Sequence, residues 1–382
     1  MPTRVAVSGA IARQPIAAGG ATWAFLQYLL GFRALGCEVL YVEHLDQADC
    51  VDGAWRPAPF ADSENVRILR AVLTRYDLDG CLLLRDGDAH VGLSLAELRD
   101  WTAGADLFVN LSGRCHLRAV MAAARRRVYV DLDPGFTQIW QAQYGADMNL
   151  AGHDAYVTVG LNLGAADCPL PTLGLRWQPL PPPVVLDEWR PQGDAPARWT
   201  TVADWRGYAP IEWQGRWYGQ KADEFLGCLD LPSRVEVPLE LCLAIHPDEP
   251  DLPRLLAHGW SLVDPTAHVG DDEAYRAYVR GSRGEWSVAK HGYVAGRTGW
   301  VSDRSACYLA AGRPVVVQDT GLSRHLPIGE GLLVFDDVAG AAAALRAVER
   351  DYGRHVAAAQ ALAEQVFDAR RVLTRLLEVS GA

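Results

Sequence analysis

The sequence lacks any long hydrophobic run. No stretch of about 18 uninterrupted apolar residues occurs in its 382 residues, so no membrane-spanning helix is expected. The N-terminal segment has no signal-peptide shape and leads straight into a predicted strand. The eight cysteines are scattered singly, with no Cys-x-x-Cys pair and no His/Cys cluster at zinc spacing. These absences predict a cytoplasmic protein with reduced, mostly buried thiols and no metal site.

A net positive charge is also lacking. The formal net charge of -11 argues against nonspecific attraction to nucleic acid or to an anionic membrane, so neither is expected as a partner. The chain is 49% hydrophobic and 22% charged, which is typical of a globular protein. Its length exceeds that of one ordinary hydrophobic core and therefore predicts two domains.

Lysine is almost absent. Of the 36 basic residues only Lys221 and Lys290 are lysine, and the rest are arginine. A GC-rich coding bias explains most of this imbalance. Both lysines nevertheless lie in the most motif-like segments of the C-terminal half, and lysine is a compact charge that suits a diphosphate. We therefore expect at least one of them to contact phosphate.

The first half of the chain alternates between strand and helix patterns. A short strand at Val5–Val7 is followed by a glycine-bearing loop, a helix with apolar residues at helical spacing, and a second strand. This order predicts parallel strands joined by right-handed crossovers, and hence a doubly wound sheet. The further predicted elements are a helix near 64–76 and strands at 107–111, 127–130 and 155–159.

A stiff proline stretch, Leu180-Pro181-Pro182-Pro183, interrupts this pattern and is interpreted as a hinge segment. Beyond it the alternation restarts, with strands at 199–203 and 239–244 and helices near 222–229 and 273–280. We therefore predict an N-terminal Rossmann-like domain over 1–180 and a second one over 181–350. The Ala-rich helical tail over 351–382 is expected to pack back on the first domain.

The most informative segment runs from Gly296 to Gly321. It contains a glycine-bearing loop, a short helix that Ser302 is placed to cap, and a helix stop at Gly312. A β-branched strand and the polar loop Asp319-Thr320-Gly321 follow. A glycine loop that leads into a helix N-terminus collects backbone N–H groups and the positive end of the helix dipole. The segment therefore predicts a phosphorylated ligand, in particular a nucleotide.

This segment also resembles the donor-binding signature of two-domain (GT-B) glycosyltransferases, in which a small-residue helix, Gly-x-Pro, an apolar strand and a polar loop surround the nucleotide-sugar. The segments Tyr218-Gly219-Gln220-Lys221 and Ser287-Val288-Ala289-Lys290-His291-Gly292-Tyr293 fit bacterial members of that family. The resemblance covers most of the chain and is specific in its C-terminal half. One departure is Cys307, which stands where many members have a Glu that binds the nucleotide ribose. Either Asp303, one helical turn earlier, takes over this contact or the nucleotide lies differently.

The resemblance and the strand ends together select candidate residues for the nucleotide-sugar donor, because ligands of open α/β sheets lie beyond the carboxyl ends of the strands. Positive charge and backbone donors would hold a diphosphate, and carboxylates would hold ribose or sugar hydroxyls. Asp319 has the alternative of an ordinary turn residue, and His291 that of satisfying a buried turn. The candidates are Trp205, Lys221, Lys290, His291, Gly299, Ser302, Asp303, Asp319, Thr320 and Gly321.

The predicted strand at 127–130 ends in Asp131-Leu132-Asp133, and paired acids at such an end can face a cleft. An Asp-x-Asp often holds a divalent cation. The two-domain resemblance instead favours one of the acids, Asp133 before Asp131, as the base that activates the acceptor in an inverting transfer. The alternatives are that both acids cap the following segment, or that His153 is the base, or, with less support, His116.

The first glycine loop, with Gly19 and Gly20, does not have the G-x-G-x-x-G spacing of a dinucleotide site. We interpret it as a loop on the acceptor side of an interdomain cleft, with a simple turn as the alternative.

The resemblance implies a hexosyltransferase-type enzyme that moves a sugar from a nucleoside diphosphate sugar to a small-molecule acceptor, without a metal or a cofactor. The habits of the family suggest a specialised metabolite as the acceptor. Two alternatives remain open: a nucleotide-sugar epimerase of the same fold, and a non-catalytic relative that binds nucleotide or a partner protein. The donor base and sugar, the stereochemical outcome and the oligomeric state are left open by the sequence.

Overall fold

The strands and helices follow the alternation predicted from the sequence. The computed structural model describes residues 2–14, 18–191 and 197–382. The strands are β1 (Arg4–Ser8), β2 (Glu38–Leu45), β3 (Asp79–Leu84), β4 (His90–Val91), β5 (Leu107–Leu111), β6 (Arg126–Asp131), β7 (Ala155–Thr158), β8 (Trp177–Pro179), β9 (Trp199–Asp204), β10 (Ile211–Trp213), β11 (Arg216–Tyr218), β12 (Leu239–Ala244), β13 (Ser261–Val263), β14 (Gly284–Ser287), β15 (Val315–Gln318) and β16 (Leu332–Phe335).

The helices are α1 (Gly19–Ala34), α2 (Glu64–Arg75), α3 (Leu95–Ala103), α4 (Arg118–Ala123), α5 (Phe136–Gln143), α6 (Lys221–Gly227), α7 (Leu252–Ala257), α8 (Pro265–His268), α9 (Asp272–Arg280), α10 (His291–Ala295), α11 (Asp303–Ala310), α12 (Val338–Arg350), α13 (Tyr352–Leu362) and α14 (Ala369–Ser380). Single turns of 3-10 helix cover Gln47–Asp49, Phe60–Asp62, Leu186–Trp189, Leu231–Arg234 and Leu322–Arg324, and a π-helical turn covers Ala363–Phe367. Within the described residues, no helix has the length and apolar character needed to cross a membrane.

The first sheet contains β1 to β8 in the order β4-β3-β2-β1-β5-β6-β7-β8. Its strands pair in parallel, except that β4 runs antiparallel to β3 at one edge. β1 lies in the middle, with Val5 paired to Val39 on one side and to Leu107 on the other. From β1 the chain first adds β2, β3 and β4 on one side and then β5 to β8 on the other, as in a doubly wound sheet.

The second sheet has the order β13-β12-β9-β14-β15-β16, and its strands are all parallel within the described residues. The short hairpin β10–β11 stands apart from both sheets. The two parallel sheets confirm the predicted α/β class with two Rossmann-like halves.

The strand β15 shows how the sequence produces this architecture. Val315, Val316 and Val317 are all buried, as their β-branched run predicts for a central parallel strand. Val316 packs in a core cluster with Trp199 and Trp286, whereas its two neighbours pack in another cluster on the opposite face. The strand is therefore covered on both sides, and helices form the outer layers.

The proline-rich linker meets the C-terminal tail. Val184 donates its N–H to Phe367 O at 2.7 Å and accepts from Ala369 N at 2.8 Å. The following helix α14 packs on α1, where a Cβ added at Gly31 would lie 2.4 Å from Leu373 Cδ1 and 2.9 Å from Ala369 Cβ. This close approach requires glycine, and it places the last helix against the first half of the chain.

The two halves also meet at the start of α1 and at the loop before α11. Trp23 Nε1 donates to Asp272 O at 2.8 Å, so α1 touches the first residue of α9. Gly160, which follows β7, forms an isolated antiparallel bridge with Trp300. These contacts frame the cleft between the carboxyl ends of the two sheets.

Candidate functional site

A cleft of about 730 Å³ lies between the loops that follow the strands of the two sheets. Its walls are formed by the start of α1 and the loop after β2 on one side, and by segments after β9, β12 and β14 on the other. The carboxyl ends of parallel strands are where ligands of α/β proteins bind. The predicted site residues that line this cleft are Gly20, Lys221, Lys290, Ser302 and Asp303.

Lys290, in the segment between β14 and α10, is the centre of a contact between the two halves. Its Nζ donates to both carboxylate oxygens of Asp133 at 3.1 Å and to the hydroxyl of Tyr208 at 2.5 Å. The rings of Phe136, Tyr208 and Tyr293 have their centroids 5.1, 4.4 and 5.1 Å from the ammonium. Aromatic faces attract a cation, so the charge of Lys290 is held by a carboxylate and by these rings.

Asp133, just after β6, accepts two further hydrogen bonds from the second half. Tyr208 donates to Oδ2 at 2.7 Å, and Tyr293 donates to Oδ1 at 2.5 Å. Burial and the nearby carboxylate raise the pKa of Tyr293 well above its usual value, so this hydroxyl keeps its proton and remains a donor. Lys290, Tyr208 and Tyr293 thus hold the carboxylate that we expected to be the base. Asp133 has to lose one of these partners before it can accept a proton.

Lys221 opens α6 and lies in the same cleft. Its side chain makes no hydrogen bond or ion pair with any described residue. Burial, and then the charge of Arg304, lower the pKa of its ammonium to about 7, although the carboxylate of Asp204 acts in the opposite direction. A low pKa caused mainly by burial means that the ammonium has lost contact with water. The negative charge of an anionic ligand would compensate for this loss.

Asp303 begins α11, directly after the capping residue Ser302, whose Oγ accepts from Arg304 N at 3.2 Å as predicted. Its carboxylate lines the cleft and also a smaller cavity of about 90 Å³ bounded by Tyr28 and Pro182. Burial raises the pKa of Asp303, and Arg304 opposes that rise. The carboxylate therefore lies where a hydroxyl of a bound ligand could donate to it.

Arg304 is committed to the interior of the second half. Its Nε donates to Glu285 Oε1 at 2.6 Å, and its other nitrogens donate to Val202 O and Ser287 Oγ, both at 2.7 Å. Both members of the Arg304–Glu285 pair are buried. Removing one partner of such a pair leaves an uncompensated buried charge, so this arginine acts as a structural residue beside the cleft.

The glycine loop is engaged by the protein itself. Gly299 N donates to Thr320 O at 2.8 Å, and Thr320 Oγ1 donates to Trp300 O at 2.7 Å. Asp319 Oδ1 accepts from Gly321 N at 2.9 Å, as in a local turn. The backbone and side-chain donors that we assigned to phosphate are therefore bonded to neighbouring loops. For Asp319 the turn alternative describes the observed contacts.

Two further donor candidates lie outside the cleft lining. Trp205 is 1% exposed and stacks on Phe225 at 5.5 Å within the core, which gives it no access to a ligand. The Nδ1 of His291 is 2.7 Å from Glu224 Oε1, whose carboxylate also accepts from Gln318. The Glu224 carboxylate raises the pKa of His291. Because the imidazole is bound to this carboxylate, its Nδ1 is not free to donate to a phosphate.

The other catalytic candidates are placed in structural positions. Asp131 is fully buried and accepts from Thr137 Oγ1 at 2.8 Å and from Gln138 Nε2 and Thr158 Oγ1 at 2.9 Å, so it ties α5 and β7 to β6. This burial removes it from any substrate.

His153 has its Nε2 3.2 Å from Asn110 Nδ2 and its Nδ1 3.0 Å from Leu150 O, and burial lowers its pKa. Both ring nitrogens are used within the first half, and His153 does not line the cleft. The buried structural role thus describes this histidine.

The glycine pair of the first loop serves close packing. A Cβ added at Gly19 would lie 2.1 Å from Asp271 O, so no larger residue fits where α1 begins. Gly20 lines the cleft, and a Cβ there would approach the ring of Tyr275 to 2.9 Å. Only the second glycine therefore borders space for a ligand.

Cys307 stands where the resembled family often has a Glu. It is buried, and its Sγ accepts from Gln27 Nε2 at 3.5 Å. Burial raises the pKa of this thiol well above its usual value. Asp303, one turn earlier on α11, is the residue of this face that reaches the cleft.

Three residues of the site were missed from the sequence: Tyr293 and Trp55, which line the cleft, and Tyr208, which contacts Lys290 and Asp133 without lining it. Tyr293 lies within the quoted segment around Lys290, and its spacing of three from the lysine was a usable signal. Tyr208 follows the end of β9 by four residues and Trp55 lies in a loop, and neither has a periodic context. Within the described part of the chain, no three His, Cys, Asp or Glu residues are grouped so that they could hold a metal ion.

The fold is similar to that of several solved structures. Sucrose-phosphate synthase from Thermosynechococcus elongatus has a TM-score of 0.54 at 12% sequence identity, with 99% of this chain and 98% of that chain covered. Anabaena Alr3699/HepE in complex with UDP and glucose has a TM-score of 0.58 at 12% identity, with 98% of each chain covered. An alpha-glucosyltransferase in complex with UDP has a TM-score of 0.58 at 10% identity, with 99% and 100% covered.

These likenesses extend over both halves of the chain and confirm the predicted two-domain GT-B fold. No protein-family model and no curated protein sequence matches this chain.

Proposed function

We propose that this protein is a glycosyltransferase that moves a sugar from a nucleoside diphosphate sugar to a small-molecule acceptor without a metal ion. The observation that carries the proposal is that both lysines of the chain line a single cleft of a GT-B fold. Two structures of the same fold support a uridine nucleotide as the first ligand to test: HepE was solved with UDP-glucose, and the alpha-glucosyltransferase was solved with UDP.

On the donor side, Lys221 and Lys290 supply positive charge to the diphosphate. A diphosphate would restore the charge that burial disfavours on Lys221, and it would stabilise the departing nucleotide as negative charge develops. Asp303 accepts from a hydroxyl of the ribose or of the transferred sugar. It takes the role of the Glu that many glycosyltransferases of this fold have at the position of Cys307.

On the acceptor side, Asp133 is the base; it does not line the cleft itself but is bonded to the cleft-lining residues Lys290 and Tyr293. When Lys290 turns to the diphosphate, the carboxylate loses its cationic partner and keeps the hydroxyl donors Tyr208 and Tyr293. Asp133 then takes the proton of the acceptor hydroxyl as the new bond to the anomeric carbon forms and the bond to the diphosphate breaks. Attack from the side opposite the leaving group gives inversion.

The experiment is a thermal-shift titration with UDP, GDP, ADP and dTDP, with and without Mg²⁺. A ligand that binds the folded form at about 100 times its dissociation constant adds roughly 2.7 kcal/mol of stability. We expect a shift with one nucleotide that is independent of Mg²⁺ and is lost in Lys221→Met and Lys290→Met. Arg375→Met, at an exposed position of α14, is the matched control and should shift as the wild type does. Absence of a shift with all four nucleotides would sink the proposal.

Turnover is tested by release of the nucleotide from its sugar donor. A transferase releases the nucleotide in proportion to the acceptor supplied, whereas an epimerase interconverts the sugar of the donor alone. We expect acceptor-dependent release, and interconversion without an acceptor would contradict the proposal.

A further inference from the structure

Trp55 is the most exposed tryptophan among the described residues, with 58% of its surface accessible, and it stands at the cleft. It belongs to the loop that follows β2 in the first half of the chain. The second half contributes Ala244, Pro265 and Val269 to the lining of the same cleft. An exposed indole at the edge of a cavity offers a flat apolar face and an N–H donor to a ligand bound there.

The turn that carries Trp55 is built to hold it. Asp52 Oδ1 accepts from Ala54 N at 2.8 Å and from Arg56 N at 3.0 Å, and the Arg56 guanidinium donates to the other carboxylate oxygen at 2.9 Å. Trp55 itself has a φ of +62°, a left-handed conformation that residues with side chains rarely adopt. Strain of this kind is a mark of functional positions when the surrounding structure fixes it.

The same turn separates the cleft from a second groove. Gly53 lines a neighbouring groove of about 430 Å³, whose walls come from α2 and from the segment before α9. Gln14 and Ala18 line both cavities, so the second groove adjoins the cleft. A ligand that extends from the cleft into the second groove therefore lies beside the turn that carries Gly53 and Trp55.

The walls of the second groove are polar, and most of their charges are paired. Arg67 donates to Glu64 Oε2 at 2.7 Å, and Arg75 is bound to Asp272 at 2.5 Å. Asp271 also lines the groove and is in no ion pair with a described residue there, so the groove has a small net negative charge, which disfavours an anion. Such a surface suits hydroxyl groups better than a flat aromatic molecule or an anion.

We propose that Trp55 is the stacking platform for a sugar ring of the acceptor, and that the acceptor is a carbohydrate at least two rings long that continues into the second groove. This inference rests on the proposed function, because it names the acceptor class of that site. The apolar face of the ring lies on the indole, and the hydroxyls of the next ring bond to the groove walls. The indole therefore selects acceptors by their chain length.

The test uses protein labelled with 5-fluorotryptophan and saturated with UDP, observed by ¹⁹F NMR. The resonance of Trp55 is the one missing from Trp55→Phe. Glucose, maltose, maltotriose, cellobiose and mannobiose are the probes, and 4-nitrophenol is the flat aromatic comparison. We expect the disaccharides or the trisaccharide to move this resonance and to bind more tightly than glucose. In Trp55→Ala the affinity for them should be about tenfold weaker, the size of one aromatic contact, with the UDP affinity unchanged.

Trp217→Ala is the matched control, because this tryptophan is 45% exposed and is not part of the cleft lining. It should bind sugars and UDP as the wild type does. Three outcomes would overturn the inference: no response to any of the sugars, a response to 4-nitrophenol alone, or a resonance that UDP by itself moves. The last outcome would place the nucleotide base on the indole. Failure of UDP to bind at all would instead sink the proposed function and is observed before any sugar is added.

Discussion

The ammonium of Lys290 lies 3.1 Å from both carboxylate oxygens of Asp133, and the two residues follow strands of different sheets. This ion pair joins the halves of the chain across the edge of the cleft. A diphosphate in the cleft competes with Asp133 for the same cation. Donor binding and release of the carboxylate are therefore linked, because the ammonium cannot satisfy both anions equally.

The first prediction concerns Asp133→Asn. The amide removes the negative charge but keeps a similar shape, so Lys290 is freed for the diphosphate. We expect UDP to bind several-fold more tightly and transfer to slow by about a hundredfold or more, the usual contribution of a general base. Isothermal calorimetry with UDP and an assay of nucleotide release measure the two effects separately.

Asp319→Asn is the control for that substitution, because its carboxylate bonds to Gly321 and Ser323 in a local turn, whereas that of Asp133 bonds to Lys290. It should leave both UDP affinity and transfer unchanged. Weaker UDP binding in Asp133→Asn would show that the carboxylate positions Lys290 for the diphosphate, contrary to the competition argued here.

The second prediction concerns the pH dependence of UDP affinity. Burial lowers the pKa of Lys221 to about 7, so above that pH the free protein has a neutral amine there. A bound diphosphate favours the ammonium, and binding therefore takes up a proton. We expect the affinity for UDP to fall as the pH rises from 7.5 to 9, by at most about tenfold per pH unit. Calorimetry in buffers of different ionisation enthalpy detects the proton.

Lys221→Arg provides the matched comparison, since a guanidinium remains charged over this range. Its UDP affinity should hardly change between pH 7.5 and 9, and no proton should be taken up. Equal pH dependence in the wild type and this variant would rule out Lys221 as the group that titrates.

The third prediction uses the same lysine in the absence of nucleotide. An unfolded lysine binds its proton up to a pH of about 10.4, whereas folded Lys221 releases it near 7. Between these values the unfolded state holds more protons, so this group makes the free energy of unfolding rise with pH. Lys221→Met should be more stable than the wild type at pH 6, by a few kcal/mol, and the difference should shrink towards pH 10. Urea unfolding at several pH values measures it.

The sequence predicts most of the central strands because they are continuous apolar runs, whereas β3, β4, β8, β13, β14 and β16 were not predicted. Val315–Val317 is buried on both faces, as its β-branched composition indicates. The hairpin β10–β11 was missed, although Gln214 and Gly215 both have positive φ in its turn and a glycine in such a pair is a usable signal. Its three-residue strands are too short for a periodic pattern.

Of the candidate site, the lysines were predicted because they are rare and lie in motif-like segments. The role of a carboxylate at a strand end is harder to predict. Asp131 is buried and bonded to Thr137 and Thr158, whereas Asp133, only two residues later, reaches Lys290. Neither carboxylate lines the cleft, and which of the two reaches the cleft-lining Lys290 depends on side chains that are distant in sequence. The same holds for Gly299, whose N–H is taken by Thr320.

The fourth prediction tests the contact between the last helix and the first half of the chain. A Cβ at Gly31 of α1 would lie 2.4 Å from Leu373 Cδ1 and 2.9 Å from Ala369 Cβ. Gly31→Ala therefore forces α14 away from α1. Overpacking of this kind costs about 1–3 kcal/mol, which exceeds the gain of up to about 1 kcal/mol from better helix propensity. We expect a lower melting temperature in scanning calorimetry.

Gly353→Ala in α13 separates packing from propensity, because no atom lies within 4 Å of a Cβ added there. This variant should match the wild type or be slightly more stable, since alanine is the better helix former. The double variant Gly31→Ala/Leu373→Ala removes the side chain that the new Cβ would meet. If Gly31→Ala lowers the melting temperature less in the Leu373→Ala background than in the wild type, the clash between these two side chains causes the loss of stability. Equal stability of Gly31→Ala and the wild type would mean that α14 does not lie this close to α1, and the packing of the tail described above would be wrong.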